Sequence, residues 1–293
     1  MELSLSQSPG AMARIIAVCN QKGGVGKSTT AVNVGAYLAL SGKRTLLVDL
    51  DPQGNATTAC GVNRRTLEKD LYGVLAHGIP AAEAIQKTPV EGLDLLPASM
   101  DVAGVEPALA SVEGREQALR RACEPLRSDY AFILLDCPPA LGVLTVNALV
   151  AADSTMIPVQ CEYLALEGLN TLMHAMDLIK QQLNPSLRIG GIVLTMTDFR
   201  ATLSREVAQE VRNFFKERVF DTAIPRNIRL AESPSFGKPI CLYDPHSTGA
   251  VAYQLLTQEL LAKETEPMPS ESVRPGPGLV LSPSKDDPAE HAS

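Results

Sequence analysis

The chain has 293 residues, 45% hydrophobic and 20% charged, enough apolar material for one large α/β domain or two small ones. It has no Trp and only 4% aromatic residues, so aliphatic side chains must fill the core. A net charge of −7 argues against a uniformly basic surface, and no apolar run reaches the roughly 18–20 residues of a membrane span.

Residues 1–12, MELSLSQSPGAM, are polar and patternless and read as a flexible N-terminal tail. They lack a basic stretch followed by a long apolar one, so a secretory signal is not expected. RIIAVC at 14–19 is a short buried-strand run that ends at a Gly-rich loop, and TTAVNVGAYLAL at 29–40 follows with helical spacing. RTLLVDLD (44–51), LDLLP (93–97), YAFILLD (130–136), STMIPVQ (154–160) and LRIGGIVLTM (187–196) read as further strands. Helices are expected over 114–127, 165–183, 204–219 and 247–263. Strands that are apolar on both faces and separated by helices predict an α/β fold: a mostly parallel, twisted sheet covered by helices on both sides.

From 264 to 293 there are six prolines and six acids against two bases, so this stretch reads as a disordered, acidic, Pro-rich tail. Without it the remainder carries only −3, and residues 195–241 carry eight Lys/Arg against six Asp/Glu. A basic patch on an acidic protein is compatible with these numbers. The six cysteines are dispersed with no C-x-x-C pair, which argues against a zinc site, an iron–sulfur ligand set or a disulfide scaffold and points to reduced thiols in a cytoplasmic protein.

The loop QKGGVGKST, Gln21–Thr29, carries the chemistry. A phosphate-binding loop reads G-x-x-x-x-G-K-[ST]. Gly26, Lys27 and Ser28 fit its second half, but the position of the first Gly holds Gln21, and an extra lysine, Lys22, precedes the pair Gly23–Gly24. In a strand–turn–helix context, the backbone N–H groups from Gly23 through Val25 to Thr29 converge on phosphate oxygens, aided by the helix N-terminus. Lys27 reaches the β- and γ-phosphates, the Ser28 hydroxyl ligates Mg²⁺, and Thr29 can touch the α-phosphate. A dinucleotide G-x-G-x-x-G is excluded, because counting from Gly24 places Thr29 where the third Gly belongs.

Two further strand ends supply carboxylates. YAFILLD ends in Asp136, placed where a magnesium-shell carboxylate belongs. In LLVDLDPQGN, Asp49 and Asp51 lie two apart and point the same way while the strand lasts. One could orient or deprotonate an attacking water and the other support the metal's surroundings; Asp51 is the catalytic candidate and Asp49 the supporting one.

KGGVGKST, VDLDPQGN, LLDCPP and IPRNIRLAESPSFGKPI (224–240), in this order, resemble the ParA/Soj branch of the deviant Walker A ATPases, alongside MinD. The similarity runs over 13–263. It implies a P-loop NTPase of the deviant Walker A type that hydrolyses ATP with Mg²⁺. It implies that Lys22 reaches across an ATP-bound homodimer to the partner's phosphates, that Asp51 positions the hydrolytic water, and that Asp136 sits in the Mg²⁺ shell. Pro225 and Asn227 are implied to lie near the adenine. The Soj-like branch binds duplex DNA without sequence preference, with Arg200, Arg229, Arg205, Arg226 and Lys238 as candidate phosphate contacts, and answers to a ParB-type centromere-binding partner. That implies a cytoplasmic, nucleoid-associated protein serving chromosome or plasmid partition. The C-terminal tail is unlike the basic amphipathic helix of MinD-like relatives, so no membrane partner is expected. Positioning of a protein cargo, such as a chemoreceptor cluster or a microcompartment, would use the same motor. A metabolic amidoligase on this fold would need a substrate pocket and an added catalytic domain, for which no spare length is expected; a scaffold without turnover would not need the complete set of loop, Asp51 and Asp136.

Overall fold

Successive residues of Arg14–Val18 (β1) turn to opposite faces of a sheet: Ile15 and Ala17 enter one apolar cluster, Ile16 and Val18 the other. The computed structural model describes residues 12–162 and 165–265, so the two tail readings lie almost wholly outside the described residues. Seven strands form one sheet: β1, Thr45–Asp49 (β2), Gln86–Lys87 (β3), Leu93–Leu96 (β4), Phe132–Asp136 (β5), Ser154–Gln160 (β6) and Arg188–Thr195 (β7). The order is β3-β4-β2-β5-β1-β6-β7, with β3 alone antiparallel to its neighbour.

Both faces are covered. One packs on the helices Leu71–His77, Ala118–Cys123, Val143–Ala151, Ala165–Gln182 and Thr202–Phe215. The other packs on Lys27–Leu40 and Thr248–Thr265. The Lys27–Leu40 helix is buried on nearly all sides, between the sheet and the C-terminal helix, where Thr30 Oγ1 and Tyr253 OH meet at 3.1 Å. It ends where Gly42 takes φ +76, which lets the Gly42 and Lys43 N–H groups bond back to Ala39 and Leu38.

The strand order creates the site. From β1 the chain crosses to β2 on one side, and from β5 it crosses over β1 to β6 on the other. The C-terminal ends of β1 and its neighbours therefore border a crevice at a topological switch point, where open α/β sheets bind ligands. Pro158 sits in β6 beyond the last β1 partner, Met156, so its missing N–H removes no bond to β1; its carbonyl instead accepts from Asn20 Nδ2 at 2.7 Å.

Two expected helices differ. Residues 114–127 form a helix only over Ala118–Cys123, flanked by 3-10 turns at Arg115–Gln117 and Glu124–Leu126; Pro125 lacks the N–H that a continuing α-helix needs. The helix expected over 204–219 runs over Thr202–Phe215 and stops where Lys216 takes φ +49.

Candidate functional site

The loop after β1 is held from three sides. The Lys22 N–H donates to Asn20 Oδ1 at 3.0 Å, which ties it to the residue bonded to β6. Thr195 Oγ1, at the end of β7, donates to the Val25 carbonyl at 2.9 Å. Lys27 Nζ closes the loop onto the Lys22 carbonyl at 3.0 Å. Gly24 and Gly26 take φ +74 and +89, a region that side chains disfavour. A Cβ on Gly24 would meet nothing within 4 Å, so the loop's outer surface is open to close approach. Lys27 is buried, and that burial pulls its ammonium below the usual range against the opposing charge of Asp136.

Three carboxylates stand at neighbouring strand ends. Asp49 and Asp136 pair across β2 and β5 and are both fully buried. Burial pushes the Asp49 carboxyl up to about 6, against its bonds from the Thr57 hydroxyl at 2.7 Å and the Thr57 N–H at 2.8 Å. Asp136 is raised well above the carboxylate range, by burial first and by Asp49 next. Its two oxygens have no formed hydrogen bond; the Ser28 hydroxyl is near enough to favour the charged form without closing one. A buried carboxylate without a partner is costly. Beside a hydroxyl, and facing a loop built for phosphate, it fits a hard oxygen-seeking cation such as Mg²⁺. Asp51 lies just past β2 on the cleft wall, with Oδ1 accepting from the Gln53 N–H at 2.8 Å.

The cleft of about 350 Å³ is lined by Gly23, Gly24, Gly26, Lys27, Ser28 and Thr29, with Asp51 on its wall. Cationic and N–H donors thus stand on one side and carboxylates near the reacting end, an arrangement suited to phosphoryl transfer. The walls also include residues not singled out as site candidates: Gln53, Asn55, Pro139, Ser233 and Pro234, which lie within the motif stretches, and Met196, which lies outside them. Met196 was findable only in three dimensions, by its φ of +51. Pro225 and Asn227 stand off this wall. Asn227 caps the Ile228–Glu232 helix through the Leu230 N–H and donates to Thr248 Oγ1 at 2.8 Å.

The unpartnered Asp136 carboxylate yields a stability prediction. Asp136→Asn replaces a buried carboxyl whose oxygens have no hydrogen-bond partner and whose ionisation is opposed by burial. In Mg²⁺-free, nucleotide-free buffer the variant should melt a few degrees higher than the parent. It should also lose the extra stabilisation that ATP with Mg²⁺ gives the parent. A lower melting point, with the ligand-induced shift intact, would mean that Asp136 is satisfied by the protein itself.

The basic candidates gather along two adjoining segments, since Thr197 bridges to Pro225 and the Arg226 N–H bonds to the Thr197 carbonyl at 3.2 Å. Arg200 is almost fully exposed and pairs with Asp198 through two bonds of 2.8 Å, holding that carboxyl down to about 2. Arg229 pairs with Glu232 at 3.0 Å and Asp244 at 3.3 Å. Arg205 donates to the Phe199 carbonyl and Thr202 Oγ1. Arg226 and Lys238 are exposed, and Lys238 borders the cleft.

Comparison with known proteins bears on this site. Residues 13–189 match the family model described as an AAA domain. The chain is 49% identical over 262 residues to the chromosome partitioning protein ParA of Myxococcus xanthus, covering 89% of this chain and 93% of that one. It is 51% identical over 251 residues to the sporulation initiation inhibitor protein Soj of Bacillus subtilis, covering 86% and 99%. Among solved structures, cobyrinic acid a,c-diamide synthase from Mycobacterium smegmatis, with bound ADP and magnesium, superposes with a TM-score of 0.77 at 38% identity, over 89% of this chain and all of that one.

Proposed function

The chain belongs to the ParA/Soj family of chromosome-partitioning ATPases, and from that premise we propose a cycle in which the ATP-bound form pairs through Lys22, binds duplex DNA without regard to sequence, and leaves it when a ParB-type partner stimulates hydrolysis. The reaction is hydrolysis of ATP to ADP and phosphate. The observation that carries the pairing step is the direction of Lys22. Lys27 already occupies its own loop, whereas Lys22 Nζ turns outward to Glu162 at 3.0 Å, with both side chains partly exposed. A second lysine turned away from its own loop is available to the loop of another copy.

Each residue then has a task set by its place. The N–H groups of the Gly23–Thr29 loop hold the phosphates, and Lys27 neutralises their β/γ end. Ser28 and, partly through water, Asp136 would hold Mg²⁺, which when bound would supply charge neutralisation to the phosphates. Asp49, fixed by Thr57, supports the neighbouring carboxylates. Asp51 orients the attacking water. Lys22 of a second copy adds charge to the phosphates in the manner of an arginine finger, which makes turnover depend on pairing. Pro225 and Asn227, on the segment bordering the cleft, are assigned to the adenine side.

Pairing would double the basic segments that carry Arg200, Arg226 and Arg229, with Arg205 and Lys238 beside them, and present them to a phosphate backbone. Two of these arginines must exchange a carboxylate for a phosphate, which keeps affinity modest in one copy and lets two act together. Such contacts are sequence-blind and salt-sensitive. They would place the ATP form on the nucleoid; among the described residues no helix is long and apolar enough to cross a membrane.

The test is binding to random-sequence duplex DNA with ATP, ADP or no nucleotide across a salt series. Binding should be confined to ATP and should fall steeply with salt. Arg200→Ala and Arg229→Ala should each lower affinity uniformly across sequences and flatten the salt slope by about one. Absence of DNA binding by an intact ATP-dependent dimer would overturn the DNA step.

A further inference from the structure

The turn that presents Asp51 is gripped from outside by one side chain. Arg64 leaves the 3-10 turn Arg64–Thr66 and spreads its guanidinium over the backbone of the Asp51 loop. Nη1 donates to the Gln53 carbonyl, Nη2 donates to the Pro52 carbonyl at 2.5 Å, and Nε donates to the Ala98 carbonyl at 3.2 Å. Three bonds from one planar fork fix position and orientation together, which a lysine cannot do.

These bonds close a ring around the catalytic turn. The Ala98 N–H donates to Thr57 Oγ1 at 3.0 Å, and Thr57 in turn holds Asp49. Asp49 Oδ1 accepts the Asp51 N–H at 3.1 Å, Asp51 Oδ1 accepts the Gln53 N–H at 2.8 Å, and the Gln53 carbonyl returns to Arg64. The turn is therefore tied to the segment just after β4 as well as to its own strand. Gly54 shows how closely the grip is built. It takes φ +60, and a Cβ there would lie 2.1 Å from Arg64 Nε. The missing side chain is space that the guanidinium occupies.

We propose that Arg64 is a positioning residue for hydrolysis: it holds the 51–54 turn so that the Asp51 carboxylate faces the cleft at the place where water must be oriented. The inference rests on the reading of Asp51 given above. Arg64 does not line the cleft, so its removal leaves the phosphate loop and the Mg²⁺ residues in place. It acts on the chemical step and leaves ATP binding alone. Displacing a reacting group by about 1 Å costs on the order of a hundredfold in rate, and a turn released on one side falls within that range.

The test is steady-state ATP hydrolysis by the full chain in the presence of duplex DNA, for the parent, Arg64→Ala, Arg64→Lys, Gly54→Ala and Asp51→Ala. ATP-dependent dimerisation and melting temperature are measured on the same samples. Arg64→Ala should lower kcat by about tenfold to a hundredfold, with KM for ATP within about twofold and dimerisation retained. Arg64→Lys should recover part of the loss. Gly54→Ala, which crowds the guanidinium and also strains a left-handed position of the same turn, should lower kcat at least as far, and Arg64→Lys, which keeps the charge without the fork, carries the test if Arg64→Ala does not fold. A kcat within about twofold of the parent for both Arg64→Ala and Gly54→Ala, while Asp51→Ala is inactive, would overturn the role of Arg64 alone. A loss of kcat matched by loss of ATP binding and dimerisation would overturn it in favour of general support of the cleft. Sustained hydrolysis by Asp51→Ala would overturn the Asp51 reading, and this inference with it.

Discussion

Asp51→Ala is expected to bind ATP, pair, and stay paired, while hydrolysis falls by on the order of 10²–10⁴-fold. The geometry separates these effects. Asp51 lies on the cleft wall just past β2, and its carboxylate is bonded locally, to the Gln53 N–H. Substitution leaves Lys27, Ser28 and Asp136 in place, so the phosphates and Mg²⁺ keep their partners. What is lost is the carboxylate that fixes a water for attack. The variant should therefore accumulate as an ATP-bound dimer, seen by sedimentation in ATP and by retained nucleotide after rapid desalting. Hydrolysis at the parental rate would remove Asp51 from the catalytic step.

Lys22→Ala is expected to abolish pairing-dependent turnover, with stimulated hydrolysis falling at least about a hundredfold. An arginine finger supplied in trans is worth 10³–10⁵ in kcat, and a lysine as a point charge should fall at or below that range. ATP binding to the single chain should survive, because Lys27 serves that loop. The parent must first release Lys22 from Glu162. That step is inexpensive, since partly exposed ion pairs contribute about 0–1 kcal/mol. Lys22 is thus held ready without being trapped. The measurements are ATP-dependent dimer mass and hydrolysis in the presence of DNA and a ParB-type partner. Full stimulated turnover by the variant would eliminate the cross-subunit role.

Much of this was legible in the chain itself, for local reasons. The loop is contiguous, and Asp49, Asp51 and Asp136 each close an apolar strand run, so spacing alone puts them at the sheet's C-terminal edge. The helix Val143–Ala151 is apolar and buried on nearly all sides, which leaves no periodicity to read. Strand β3 has only two residues and is held by pairing with β4, a tertiary matter. Within the site, Met196, Ser233 and Pro234 reach the cleft only because β7 and the following segments fold over the loop. The grip of Arg64 depends on Ala98, 34 residues away, being brought beside the Asp51 turn by the fold. Arg64 sits in an otherwise ordinary polar stretch, NRRTLEKD, and carries no motif.

The outward turn of Lys22 has a kinetic consequence. Under the proposed pairing, each copy would hold a nucleotide but only part of the charge that hydrolysis needs, and the rest would arrive with a neighbour. While copies are sparse, the rate of such an engine rises with the square of their local concentration. A dispersed pool is a slow clock, and a crowded one runs fast. Where such a protein gathered along a track, its own density would set how soon it fired, so an accumulation would carry within it the timing of its own dispersal.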